Sequence, residues 1–214
     1  MDVIIEYLPS FLRALLATLE IALISGAIAL ALGVVAALLA RVRSRIVRKI
    51  IEVYTGVFRA TPLLVQLYFT YYGLPVLGIS ISPFASAVIA FSLNTGAYIT
   101  EIIRGGQESI DEGQYHAAYA MGMTAPTCMR FIILPQVFRR ILSPLITQFS
   151  YLIKDTSLGA VLVIAELTYA YRDAASVTFR PFESLVVPMI FYFALYLLFK
   201  LASNLVKERR GAAR

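Results

Sequence analysis

Long apolar runs along this chain are separated by short clusters of Arg, Lys, Gly and Pro, and the runs have lengths suited to lipid. A helix needs roughly 20 residues to cross a hydrocarbon layer of about 30 Å. The first run extends from about Ala14 to Ala40 with only Glu20 charged. A second begins near Ile50 and fades at Gly73, Pro75 and Gly78, interrupted by Arg59 and Pro62. A third covers about Pro83 to Ile103, and a fifth about Leu185 to Leu205. Between them, a fourth starts after Pro135, is punctuated by Pro144, breaks at Lys154 to Ser157 and resumes from Leu158 to Ala165. The pattern predicts an all-α polytopic membrane protein of about five transmembrane helices, with residues 1–214 forming a single transmembrane domain.

Small residues recur at helical spacing in the first span, at Ala22, Gly26, Ala29, Gly33 and Ala37. Such a stripe marks close helix packing in lipid, within the chain or across a subunit boundary. Composition agrees with the membrane reading: 59% of residues are hydrophobic and only 15% charged, too few charges to cover a soluble surface. The net charge of +6 follows from where the cations sit. Arg41, Arg43, Arg45, Arg48 and Lys49 follow span one; Arg104, Arg130, Arg139 and Arg140 lie between spans three and four; Lys207, Arg209, Arg210 and Arg214 form the tail. The Gly73 to Ser82 turn holds no charge. Short cytoplasmic loops favour Lys and Arg, so the amino terminus is expected outside and the carboxyl terminus in the cytoplasm. No folded soluble face carries a basic patch, and nucleic-acid binding is not expected.

The first run is too long, and too poor in preceding basic residues, for a cleavable signal. Cys128 is the single cysteine, so no disulfide framework exists, and one histidine, His116, gives no metal-ligand set. No self-similarity joins the halves. Five spans are few for a carrier built from inverted repeats, which points to a pathway between two subunits.

The segment from Gln114 to Pro135, QYHAAYAMGMTAPTCMRFIILP, is a Gly-punctuated, soluble-looking insert between two apolar runs. Its local pattern allows a docking helix or an interfacial loop on the headgroups, although it lacks the wide apolar face opposed to a Lys-rich face of the latter. His116, Ala117, Ala118, Gly122, Ile132, Leu134 and Pro135 resemble, in type and spacing, the Glu-Ala-Ala signature of importer permeases of the ATP-binding-cassette (ABC) class. FRATPLLVQLYFTYYGLP from Phe58, LNTGAYITEIIRGGQESIDEGQ from Leu93 and LIKDTSL from Leu152 resemble the polar-amino-acid branch of that class. The resemblance covers roughly residues 11 to 205.

It implies the fold of a type I importer permease, similar to the methionine permease, in a bacterial inner membrane. About Asp111 to Met123, within a coupling segment of about 111–135, would form a cytoplasmic coupling helix docking into a separate ATPase subunit. Its contacts would come from Gln114, Tyr115, His116, Ala117, Ala118, Met121, Gly122 and Met123. Alanines keep such a helix thin, Gly122 lets the backbone turn out of it, and Pro126 and Pro135 are expected to prevent one continuous helix into span four. His116 departs from the family's usual Glu, replacing an acceptor-only group with one that can donate. The implied partners are a second permease subunit, two ABC ATPases that hold ATP and magnesium, an extracytoplasmic amino-acid-binding protein and membrane lipid. The chain itself is expected to bind no cofactor or metal and to carry no catalytic residue.

Polar groups inside the spans are costly in lipid and turn toward a cavity or a partner helix. Arg59, Thr61, Gln66, Asn94, Tyr98, Glu101, Lys154, Asp155, Thr156 and Ser157 form this set and are the candidate substrate pathway. Structural pairing is the competing reading for the charges: Glu101 with Arg104, Lys154 with Asp155, and Arg59 with Glu52 or Asp155. Asn94 and Tyr98 share a helix face, Gln66 lies a turn beyond Pro62, and the broken fourth span is expected to offer free amides at Thr156 and Ser157 to a carboxylate. An ion-coupled carrier or channel with Glu101, Asp155 and Lys154 as a charge relay is the alternative function, but it leaves the cytoplasmic insert without a purpose. A membrane enzyme is disfavoured, since no His-Glu-x-x-His or nucleophile motif lies in a span.

Overall fold

The computed structural model describes residues 2–211, with side chains for residues 5–205; these residues form helices joined by short turns, without a strand. The side chains of Lys207, Arg209, Arg210 and Arg214 lie outside that set. Helix α1 (Asp2–Leu39) is followed by α2 (Arg45–Ala60), whose start is capped by Ser44 accepting from the Val47 amide. At Thr61 the backbone is extended, as the residue before a proline must be, and the chain bends into α3 (Leu63–Tyr68). A π-helical turn, Phe69–Gly73, and a 3-10 turn, Leu74–Leu77, carry it to Gly78, whose φ of 80° closes the segment. Helix α4 (Pro83–Glu108) starts on a Ser82 cap with Pro83 in its first turn.

Helices α5 (Glu112–Ala120) and α6 (Ala125–Cys128) then lead through a second π-helical turn, Met129–Ile133, into α7 (Leu134–Asp155). A 3-10 turn, Thr156–Leu162, precedes α8 (Leu167–Thr178) and α9 (Pro181–Gly211). Among the described residues three helical stretches are long and apolar enough to cross a membrane: Ile5–Leu39, Pro83–Glu108 and Pro181–Leu205. They correspond to the first, third and fifth expected spans.

The other two are built differently. The second is assembled from α2, α3 and two irregular turns. The fourth is α7, strongly amphipathic and carrying Gln136, Arg139, Arg140 and Gln148. Its expected continuation through Leu158 to Ala165 is instead the 3-10 turn, stopped by Val163 at φ 60°. Pro135 does not interrupt the helical run into α7, contrary to expectation, because the π turn precedes it. A proline cannot donate to the carbonyl four residues back and its ring clashes there. The wider π turn relieves both at Phe131, and the same arrangement of π turn then proline recurs at Phe69–Gly73 and Pro75.

The small residues of α1 pack within the chain. Ala22, Ala29 and Ala37 are buried, and α1 makes its most extensive contact with α4. A Cβ on Gly33 would overlap Ile99 of α4, and one on Gly26 would lie 3.0 Å from Phe149 of α7. Backbones approach closely because no side chain separates them, which is how helices gain dispersion contact in lipid. Small hydroxyls serve the same contacts: Ser92 of α4 donates to the Ser25 carbonyl of α1 (3.2 Å), and Thr18 of α1 accepts from the Leu167 amide of α8 (3.2 Å).

Candidate functional site

The candidate coupling segment hangs from one end of the bundle, beside the last turns of α1 and α4. Helix α5 starts on Asp111, whose carboxylate accepts from the Gly113 amide at 2.7 Å. It ends where Gly122 takes φ 78°, with Gly122 donating to Tyr119 (2.9 Å) and Met123 to Ala118 (3.1 Å). That bond pair is a Schellman stop, which requires the left-handed glycine. The helix is thus cut to length by its own residues.

One side of α5 is anchored. Ala118 is buried and joins Ile103, Ile110, Cys128, Ile133 and Val137 in one apolar cluster, and Tyr115 and Met123 are partly buried against it. Gln114, His116, Ala117, Met121 and Gly122 face outward, with Tyr119, which sequence reasoning did not single out. Tyr119 lies on the same turn as His116 and Ala117, a signal that helical spacing alone could have given. Ala118, expected among the docking contacts, is turned into the bundle, where it packs in one cluster with Cys128, Ile133 and Val137.

Side chains from α7 tie the segment down. Arg140 donates to the carbonyl and hydroxyl oxygens of Ser109, which ends α4. Gln136 donates to the Gln114 side chain at 3.2 Å. A Cβ on Gly106 would overlap Ile141, so α4 and α7 touch directly above α5. Displacing α5 therefore displaces the ends of α4 and α7 with it.

The polar residues of the expected pathway fall into two groups. Gln66 donates to the Phe58 carbonyl (2.8 Å) and to the Thr61 carbonyl and hydroxyl (3.0 and 2.8 Å). Asn94 of α4 donates to the same Phe58 carbonyl (2.8 Å) and to the Gln66 side-chain oxygen (3.1 Å). The cause is Pro62. Phe58 is the residue whose carbonyl a regular helix would satisfy with the amide of residue 62, and proline has none. Asn94, Gln66 and Thr61 are brought together as a knot that holds the α2–α3 break against α4.

The charged group lies nearer the coupling end. Glu101 accepts from Arg104 at 2.7 Å and pairs with Arg59 at 3.5 Å, while Arg104 also reaches Glu108 at 2.6 Å. The Glu101–Arg104 pair is the one expected; Arg59 turns to Glu101 rather than to Glu52 or Asp155, and its guanidinium lies 5.4 Å from the centre of the Tyr98 ring. Arg59, Glu101 and Arg104, with Arg48 and Glu52, face a cavity of about 430 Å³ between α2 and α4.

Lys154 does not pair with Asp155. Its amine lies over the rings of Tyr151 (4.4 Å) and Tyr196 (5.6 Å), because adjacent residues on a helix point about 100° apart. Lys154, Tyr151, Tyr171, Tyr192, Phe193 and Tyr196 line a cavity of about 690 Å³ between α7, α8 and α9. The aromatic spacing on α9 was the available sequence signal. Thr156 offers no free amide: its N–H bonds back to Leu152 and Lys154, and its hydroxyl to Ile153 at 2.7 Å. Ser157 follows in the same 3-10 turn, which continues α7 and starts no new helix. The next helix start is that of α8, and there the buried Glu166 carboxylate already accepts from Thr168 (2.9 Å) and Tyr169 (2.8 Å) and from the Tyr192 hydroxyl (2.8 Å).

Comparison with known proteins places this architecture. Residues 29–210 match the family model described as the binding-protein-dependent transport system inner membrane component. The chain is 37% identical over 196 residues to the L-cystine transport system permease protein TcyB of Bacillus subtilis, covering 90% of this chain and 82% of that protein. It is 35% identical over 206 residues to the arginine transport system permease protein ArtQ of the same organism, covering 96% and 94%. Among solved structures, an amino acid ABC transporter crystallised with histidines superposes with a TM-score of 0.92 at 34% identity, covering 96% of each chain. The MetNI methionine ABC transporter, at 18% identity and a TM-score of 0.68, shares the fold. From the signature-bearing insert, the helical architecture and these matches together, the chain belongs to the inner membrane components of binding-protein-dependent transport systems.

Proposed function

We propose that this chain, as one transmembrane unit over residues 1–214, is the permease subunit of an ATP-driven importer of polar amino acids. A second permease would complete the translocation pathway, and two ABC ATPases holding ATP and magnesium would supply the work. An extracytoplasmic binding protein would deliver substrate. The amino terminus would lie outside the bacterial inner membrane and the carboxyl terminus in the cytoplasm.

The observation that carries this reading is the state of α5: short, capped at both ends, tied to α4 and α7, and presenting His116, Ala117, Tyr119 and Met121 outward. A helix held so firmly on one face and left open on the other is suited to receive force from a cytosolic partner. Relatives named for cystine, arginine, glutamine and nopaline transport support a polar amino acid as the cargo. Within the pathway, Arg59, Tyr98, Glu101, Lys154, Asp155 and Ser157 are the proposed lining. Thr61, Gln66, Asn94 and Thr156 act on it by fixing the shape of α2–α3 and the end of α7.

The test is reconstitution of the chain with its ATPase and binding protein, followed by ATP-dependent uptake of candidate amino acids. Uptake is expected to require ATP and to be lost in Ala117→Arg, with the permease still folded but no longer retaining the ATPase. Uptake driven by an ion gradient in the absence of ATPase would overturn the proposal in favour of a carrier.

A further inference from the structure

Helix α2 carries its apolar row on the outside. Ile46, Ile50, Val53 and Val57 recur at spacings of four, three and four, and each is more than half exposed. The helix is not free to turn them inward. The Tyr54 hydroxyl is fixed to the Leu93 carbonyl of α4 at 2.7 Å, and Arg48, Glu52, Thr55 and Arg59 line the cavity between α2 and α4.

At the start of this row stand Arg41, Arg43, Arg45, Arg48 and Lys49, all exposed. Lys49 pairs with Glu52 at 3.3 Å. Among the described residues no carboxylate comes within ion-pair distance of Arg41, Arg43, Arg45 or Arg48.

We infer that the basic loop and the outer face of α2 together form a binding site for an anionic phospholipid, with Arg43 and Arg45 on the headgroup phosphates and the Ile46–Val57 row along an acyl chain. Three arguments converge. The row spans 11 residue steps, about 16 Å of helix, which matches one leaflet of a hydrocarbon layer about 30 Å thick. The cations without an ion-pair partner sit at one end of the row only, as a headgroup sits at one end of its chains, whereas Arg59 at the other end is paired with Glu101. A second copy of this chain is the competing occupant, but seating two α2 helices row to row brings their cationic loops together, and like charges at close range repel. An anionic lipid neutralises them instead, with each Lys or Arg near a charged surface favouring association by a factor of about five.

The chain contains no tryptophan, so Ile50→Trp places a unique reporter in the row. The full-length variant is reconstituted in phosphatidylcholine vesicles containing small amounts of dibrominated phosphatidylglycerol or dibrominated phosphatidylcholine. Quenching is expected to report at least about fivefold preferential association of the phosphatidylglycerol, declining as salt screens the headgroup contacts. On this background R43Q/R45Q should bring the two lipids to parity, R43K/R45K should keep the preference, and R139Q should not alter it. Equal quenching by both lipids, a preference indifferent to salt, or an equal loss in R139Q would overturn the site. A tryptophan quenched by neither lipid would also overturn it, assigning the row to a protein contact. Should R43Q/R45Q fail to reconstitute, the salt series and R43K/R45K decide the question alone.

Discussion

The Asn94 side chain of α4 meets that of Gln66 at 3.1 Å, and both amides converge on the Phe58 carbonyl that Pro62 leaves without a helical donor. A buried carbonyl stripped of its partners costs about 1–3 kcal/mol. Because two donors share the task, Asn94→Ala or Gln66→Ala alone should cost less than half of what the double variant costs. Thermal unfolding of the purified chain reads this non-additivity. The surviving folded fraction should transport with an unchanged KM, since these groups are occupied by backbone; a KM change without loss of stability would instead put Asn94 on the substrate.

Glu101 stands between two guanidiniums, from Arg59 on α2 and Arg104 on its own helix. Its side chain is about one-fifth exposed and theirs nearly half, so water screens the pairs and each contributes on the order of 0.5 kcal/mol. Glu101→Gln should therefore lower stability by about 1 kcal/mol, with part of the loss arising from repulsion between the two arginines. High salt should shrink the difference between variant and parent in the melting temperature, because both the lost attraction and the new repulsion are Coulombic. A deficit indifferent to salt would mean that packing, not charge, is what Glu101 supplies.

Gly122 ends α5 in a left-handed conformation, and no atom lies within 4 Å of the position a Cβ would take. Substitution is opposed by backbone strain alone. Gly122→Ala should cost about 1 kcal/mol, with Gly122→Asn closer to the parent because asparagine tolerates that region. The strain is relieved if α5 runs on by a turn, which would redirect Met121 and Met123. In a reconstituted complex the expected signature is fewer amino acids imported per ATP hydrolysed, with ATPase subunits still bound.

Much of this architecture is written in local pattern. The apolar length of α1, α4 and α9, the small-residue stripe of α1 and the turn at Gly122 that ends α5 follow from short-range rules, while the helix over about Asp111 to Met123 was implied by the family resemblance. What escaped those rules depends on partners distant in sequence. Asn94 and Gln66 read as pathway residues until the Phe58 carbonyl, 36 residues from Asn94, is seen to need them. Ala118 and Ala117 are indistinguishable in sequence, and only contact with Cys128 and Val137 turns one inward. Helix α8 was invisible because its start is capped by Glu166, a residue seldom used as a cap, held in place by Tyr192 from α9.

The π turn before Pro135 yields the sharpest separation between folding and coupling. Its wide ring, closed by the Leu134 amide on the Met129 carbonyl, exists because the proline can neither donate to the Phe131 carbonyl nor tolerate its approach. Pro135→Ala restores the missing donor and removes the clash, so α6 and α7 can close into a regular α-helix. Such closure is neutral or stabilising for the isolated helix, since a proline costs about 3 kcal/mol there relative to alanine. Yet rewinding a π turn as α-helix changes the winding by about one residue, rotating everything upstream by about 100° relative to α7 and carrying Cys128 away from the apolar cluster that seats Ala118. The variant should therefore melt no lower than the parent while losing most ATP-dependent uptake. Full uptake together with helical closure, read from the amide hydrogen exchange of residues 131 to 135, would show that the orientation of α5 does not depend on this turn.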